Sequence, residues 1–365
     1  MNFSSKPVLV FWETTRACLL SCLHCRASAI TKPLPGELST EEGFKLMDSV
    51  RSFGKPYPTI IFTGGDPLMR KDLFDLLGYA SSSGVSFAVS PAVTKLLTKD
   101  ALAKLKEAGS ASISLSLDGS SPEIHDAIRG EAGTFQRTIE AISTAIQLGV
   151  KVQVNTAIMK RNFADLPEIL HVIRGLGVRT WELFFLVKVG RGESLQDLSP
   201  EENESVCNFL YDASHYDLTV RCVEGPFIRR IVKQRKELGR YWNDANYHKL
   251  HSRLVELEGL PQSESTSTLG TRGTLDGDGV IFVGYDGTIS PGGLIPINLG
   301  NVRRDNLVDL YQRNKLLISI RDRLLNGFCG ACQFKEICGG SRARAYSFNS
   351  DALSSDRACM LAAAV

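Results

Sequence analysis

The 365-residue chain has no apolar run approaching the ~20 residues that carry a helix across a bilayer, which excludes a helical membrane span. Its opening, MNFSSKPVLVFWETT, lacks the charged-then-apolar order of a secretory signal, so a cytoplasmic location is expected. Neither sign of charge predominates, since 42 Lys and Arg face 40 Asp and Glu. That balance leaves no broad basic surface for a nucleic acid. There is no low-complexity segment.

What is there, in a chain expected to meet reducing conditions, is nine cysteines. A disulfide framework does not suit that setting, and seven of the nine fall into two clusters near opposite ends, where they read as metal ligands. The first cluster, TTRACLLSCLHCRAS, holds Cys18, Cys22 and Cys25 with no fourth cysteine nearby. Thiolates select zinc, copper(I) or iron–sulfur clusters. A structural zinc is closed by four protein ligands and a catalytic one normally includes histidine; His24 is the only local candidate. Three cysteines at this spacing can instead hold three irons of a cubane and leave the fourth iron open. Zinc and a redox motif are the competing readings. Cys207 and Cys222 have no partner at metal spacing and read as small buried hydrophobes.

From Val8 to Val187 short β-rich runs alternate with helical stretches: VLVFWETT, TIIFTGG, SFAVSPAV, SISLSLDG, KVQVNTAI and TWELFFLV give six strands. Gly54, Gly84, Gly109, Gly149 and Gly177 each follow an amphipathic stretch, as left-handed caps do, and Ser39 with Glu42 forms a capping box. Repeated βα units with right-handed crossovers make a parallel sheet. Special residues stand at the carboxyl end of strand after strand: Cys18, then Gly64-Gly65-Asp66, Ser90-Pro91, Asp118-Gly119 and Asn155-Thr156. This favours a barrel, whose strand ends converge on one mouth. The fold expected is α/β, a partial (β/α)6 TIM-type barrel over residues 1–198. A helical linker region over 199–274 follows, ending in the connector PQSESTSTLGTRG. Residues 275–365 form a cysteine-rich C-terminal domain, in which GVIFVGYDGTIS reads as a hairpin turning on two residues, Asp286-Gly287. Cys329, Cys332, Cys338 and Cys359 can close a cubane completely; a zinc knob is the alternative.

The triplet after the first strand, with GGDP after the second, resembles the radical S-adenosylmethionine (SAM) superfamily. The resemblance implies a [4Fe–4S] cluster on Cys18, Cys22 and Cys25 whose open iron is chelated by SAM. An electron from the reduced cluster then cleaves SAM to a 5′-deoxyadenosyl radical, which abstracts hydrogen from a substrate. It implies that Gly64 and Gly65 meet the methionine amino group, with Asp66 and Pro67 in the same turn. Ser116, Asp118 and Asn155 are implied near the ribose, Arg129 near a carboxylate, and the backbone of His24 at the adenine. On residues alone, Asp118 and Asn155 read equally as turn or strand residues and Arg129 as a surface cation.

The tail spacing resembles the SPASM auxiliary-cluster domain. Gly292 and Ser341 stand where relatives with a further cluster often have cysteine, so one auxiliary [4Fe–4S] cluster is implied, as electron relay or structural staple. TGGDP, SLDG…HDAIRG, FFLVKVGRG and CGGSRARAY resemble the alternative haem-biosynthesis and dioxo-haem maturase branch. That resemblance implies a tetrapyrrole carboxylate substrate, with Arg191, Arg342 and Arg344 as candidate holders and an electron donor such as flavodoxin or ferredoxin. The alternatives are a peptide-modifying maturase, disfavoured by the 17 residues ahead of Cys18, and a non-catalytic iron–sulfur or zinc protein.

Overall fold

The computed structural model describes residues 3–239, 242–262 and 266–363. Strands β1 (Leu9–Glu13), β2 (Thr59–Thr63), β3 (Phe87–Val89), β4 (Ile113–Ser116), β5 (Val152–Ile158) and β6 (Thr180–Phe185) lie side by side in chain order, every pairing parallel. Between them run α1 (Thr40–Arg51), α2 (Leu73–Ser82), α3 (Lys99–Glu107), the pair α4 (Pro122–Arg129) and α5 (Thr134–Gln147), and α6 (Leu166–Gly175). The capping box at Ser39 forms as expected, and all five expected cap glycines take positive φ. The six expected strands are present and the sheet stays open, as a partial barrel requires.

The sheet extends past both expected edges. After α7 (Pro200–Ala213), β7 (Thr219–Val223) pairs in parallel with β6, so the sheet crosses the division expected at Leu198. Helices α8 (Ile228–Leu238) and α9 (Ala245–Glu258) follow. Beyond the short β8 (Leu275–Asp276), β9 (Gly279–Val283) pairs in parallel with β1 on the opposite edge. It then turns back into β10 (Thr288–Ser290). Gly284 N–H donates to Thr288 O and Gly287 takes φ +80°. The turn therefore has three residues, Tyr285 to Gly287, rather than the two expected: Gly287 supplies the left-handed residue that a three-residue hairpin needs. Gly300–Asn301 (β11) pairs with β10, and α10 (Leu307–Arg313), α11 (Lys315–Arg321), α12 (Gly327–Ala331), α13 (Arg342–Asn349) and the short α14 (Met360–Ala363) complete the tail.

Alternation decides what each face does. Along β5 and β6, every second residue is fully buried, and Trp12, Phe62, Phe87 and Trp181 fill the layer beneath the helices. Burial of each such ring contributes about 2–3 kcal/mol. The intervening residues, among them Ser116, Asn155 and Glu182, face inward onto a cavity of about 830 Å³. A closed barrel would pack that space with branched apolar side chains. Here polar inner residues and an open sheet leave room for a ligand.

Candidate active site

The cysteine loop is cinched at its base. Cys18 N–H donates to Ile30 O (2.8 Å) and Ile30 N–H to Arg16 O (3.1 Å). The β2 turn packs against it, with Gly65 N–H on Thr15 O and Asp66 N–H on Ala17 O, both 2.7 Å. A Cβ on Gly64 would lie 2.5 Å from Thr15 O, and one on Gly65 would lie 2.3 Å from Ala17 O. Both glycines thus allow backbone to touch backbone, a reason for the pair independent of any ligand. Gly65→Ala is expected to displace the cysteine loop, costing ~1–3 kcal/mol and lowering iron retention, readable by iron assay against thermal midpoint.

Cys18, Cys22 and Cys25 all face the cavity. Each sulfur receives a donor: Leu20 N–H on Cys18 (3.3 Å), Ala29 N–H on Cys25 (3.5 Å) and Arg129 Nη1 on Cys22 (3.7 Å). Burial pushes the Cys18 thiol up to about 12, so a thiolate there needs a positive centre beside it. Among the described residues no three Cys, His, Asp or Glu side chains gather as one metal ion requires, whereas ligands of a cubane stand around a larger body. Sulfurs that accept N–H donors fit an iron–sulfur cluster, whose potential such bonds tune.

The other expected residues divide into two groups. Gly64, Gly65, Ser116, Arg129, Asn155 and His24 line the same cavity as the cysteines. Asp118 does not face it. Its Oδ1 accepts Ala157 N–H (2.8 Å) and its Oδ2 pairs with Arg129 Nη2 (2.7 Å), so its carboxylate aims Arg129 instead of meeting a ribose. Burial works against the Asp118 charge, but the Arg129 guanidinium holds it below the usual carboxylate range. His24 Nε2 stands 3.7 Å from Asp118, and burial lowers the imidazole to about 4, keeping it neutral. Asp66 is fully buried and ties the β2 turn to the next loop through Leu68 N–H, Ala92 N–H and the Thr94 hydroxyl; burial raises it to about 6. Pro67, also buried, opens the short turn that Asp66 caps.

Arg191 braces the cysteine loop, donating Nε to Cys22 O (2.8 Å) and Nη1 to Ala29 O (2.9 Å). Arg342 and Arg344, expected to reach substrate carboxylates, bond carbonyls inside the protein, and Arg344 also pairs with Asp356; Arg342 still lines the cavity and Arg344 does not. Across the cavity buried Glu224, at φ +58°, and half-buried Asp276 form an acid pair. Burial and the neighbouring Glu224 carboxylate push Asp276 well above the carboxylate range. A Cβ on Gly292 would lie 1.9 Å from the Asp276 carboxylate, and the Ser341 hydroxyl bonds Glu224. The two positions where relatives often have cysteine are thus closed by carboxylates. Only the VEGP turn hints at Glu224 in the sequence, and nothing local pairs it with Asp276.

In the tail, backbone N–H groups of Asp356, Phe334 and Gly340 point at the sulfurs of Cys329, Cys332 and Cys338, each at 3.4 Å. Burial raises Cys338 to about 12 and also raises Cys329 and Cys359. Cys207 is fully buried, as expected. Cys222 beside it is half-buried, lines the cavity and gives its S–H to Gly225 O. It therefore donates where the clustered cysteines accept.

Residues 12–173 match the radical SAM superfamily. Over 359 residues, 96% of this chain and 86% of its relative, the sequence is 35% identical to the AdoMet-dependent heme synthase of Oleidesulfovibrio alaskensis. The chain belongs to the radical SAM superfamily. As a radical SAM enzyme it uses S-adenosylmethionine and a [4Fe–4S] cluster. The AdoMet-dependent heme synthase of Methanosarcina barkeri is 32% identical over 98% of this chain and 97% of its own. Among solved structures, Streptococcus suis SuiB bound to S-adenosylmethionine superposes with a TM-score of 0.70, covering 98% of this chain and 78% of that one. At 14% identity this likeness shows the fold alone.

Proposed function

We propose that this radical SAM enzyme holds its SAM-binding cluster on Cys18, Cys22 and Cys25 and removes hydrogen from a carboxylate-bearing side chain of a tetrapyrrole. The observation that carries this reading is the single cavity onto which the three thiols and the polar strand ends open, in a chain resembling heme synthases over nearly its whole length. Its volume, about 830 Å³, lies in the range of small-molecule and cofactor sites.

When bound, the cluster and SAM supply one-electron reduction and hydrogen abstraction. The chain's own residues do the rest. Cys18, Cys22 and Cys25 would hold the cluster as thiolates; Arg129, aimed by Asp118, and Arg191 fix the charge and shape of the cysteine loop. Ser116 and Asn155 present polar groups for a ribose, and neutral His24 adds no charge beside it. Arg221 and Arg272 line the cavity, as Arg342 does and Arg344 does not, and with the Arg342 guanidinium largely taken up by carbonyls they join it as candidates for substrate carboxylates. In this reading Cys329, Cys332, Cys338 and Cys359 hold a closed auxiliary [4Fe–4S] cluster that relays an electron, and a flavodoxin- or ferredoxin-type protein supplies the first one.

The test is anaerobic incubation of iron-replete enzyme with SAM, dithionite and iron tetrapyrroles bearing free or esterified carboxylates. A modified tetrapyrrole from the free acids, detected by mass, is expected. SAM cleavage with every tetrapyrrole left unchanged, alongside modification of a peptide, would overturn the substrate assignment.

A further inference from the structure

Buried arginines surround the tail cysteines, and carboxylates balance only some of them. Glu204 holds Arg230 at two points, 2.9 and 2.5 Å, and Asp278 holds Arg323 at 2.8 Å. Arg344 leans on Asp356 at 3.4 Å. Arg229 and Arg342 have no such partner among the described residues. Arg229 is 9% exposed and donates only to carbonyls, those of Ile337 (3.2 Å) and Thr274 (3.0 Å). Ile337 immediately precedes Cys338. Arg342 is 3% exposed; its Nη1 and Nε bond the carbonyls of Ala352, Ser354 and Gly340.

Its Nη2 has no oxygen or nitrogen acceptor among the described residues and stands beside the Cys329 thiol, with which it interacts: a Cβ on Gly340 would lie 2.5 Å from Arg342 Nη2 and 2.9 Å from Cys329 Sγ. Burying an unpaired cation is costly unless opposite charge shares the same low-dielectric volume. Two unpaired guanidiniums beside four thiols therefore ask for a group of net charge about −2, which is what four thiolates around an oxidised cubane core carry.

We propose that Arg229 and Arg342 are the counter-ions of the tail cluster, and that Arg229, which also lines the substrate cavity, raises that cluster's reduction potential. The proposal rests on the reading of the four tail cysteines as iron–sulfur ligands. A fixed positive charge close to a buried cluster favours the added electron, because little water intervenes to screen it. Arg229 joins the two sites physically, with one edge on the cavity and one hydrogen bond to the peptide preceding a cluster cysteine. It is a positioning and tuning residue and takes no part in bond cleavage.

The test is a redox titration of the full-length, iron-reconstituted protein followed by electron paramagnetic resonance, with the Cys18, Cys22 and Cys25 to Ala form used to assign the tail signal. Arg229→Gln is expected to keep the tail iron and shift its midpoint negative by about tenfold in the reduction equilibrium, ~59 mV for one electron. Arg229→Lys should restore most of the shift. Arg342→Gln should move the potential the same way and serves where Arg229→Gln fails to fold. An unmoved potential in either iron-replete variant overturns the proposal while leaving the tail cluster standing. Stoichiometric zinc and no iron at the tail overturns the cluster reading, and the proposal with it.

Discussion

Replacing Cys18, Cys22 and Cys25 by alanine is expected to abolish 5′-deoxyadenosine formation and to remove about half the iron, leaving about four of about eight atoms per chain. The reasoning is structural as well as chemical. The three sulfurs sit on one cinched loop facing the cavity, while the tail cysteines receive their donors from Phe334, Gly340 and Asp356. Among the described residues no hydrogen bond to sulfur is shared between the two groups, so loss of one cluster should not empty the other. Iron and sulfide assays on anaerobically reconstituted protein, with zinc measured in parallel, check the count. Loss of all iron in the triple variant would mean that the tail cannot bind metal alone.

Cys332→Ala addresses the tail from the opposite direction. With bond scission in SAM assigned to the Cys18 loop by the proposed function, this variant should still yield 5′-deoxyadenosine, whereas modified product should fall to roughly a tenth or less. Hydrogen abstraction beside a carboxylate-bearing carbon leaves a substrate radical that becomes a closed-shell alkene by releasing CO2 and one electron, and a cluster held by the four tail cysteines would accept that electron. Both products should be quantified on one folded, iron-assayed sample. A purely structural tail predicts lower thermal stability but a normal ratio of product to 5′-deoxyadenosine, and that ratio in a variant lacking tail iron would refute the relay.

How much of this was legible before the structure depended on whether the signal was local. The Cys18-x3-Cys22-x2-Cys25 spacing, the glycines closing each helix and the GG after β2 are short-range patterns, and each marks a real feature of the chain's geometry. Strand β9 was legible as a strand in GVIFV but not as the neighbour of β1, more than 260 residues earlier, because a buried run carries no record of its partner. Asp118 illustrates a subtler limit. Its place at a strand end is a sequence property, whereas its commitment to Arg129 and Ala157 depends on α4 and β5. Arg342 and Arg344 read as candidate holders of substrate carboxylates, and only packing shows them buried. The Glu224–Asp276 pair draws on two segments 52 residues apart, with no periodicity linking them.

Formation of 5′-deoxyadenosine by dithionite-reduced, fully iron-loaded protein is the most direct measurement of the central claim. The wild type with SAM should bind the cofactor and release 5′-deoxyadenosine, in larger amount when a carboxylated iron tetrapyrrole is present, and Cys22→Ala should release none. Wild-type protein with a complete, reduced cluster that neither binds SAM nor forms 5′-deoxyadenosine with any tetrapyrrole or peptide would contradict the account.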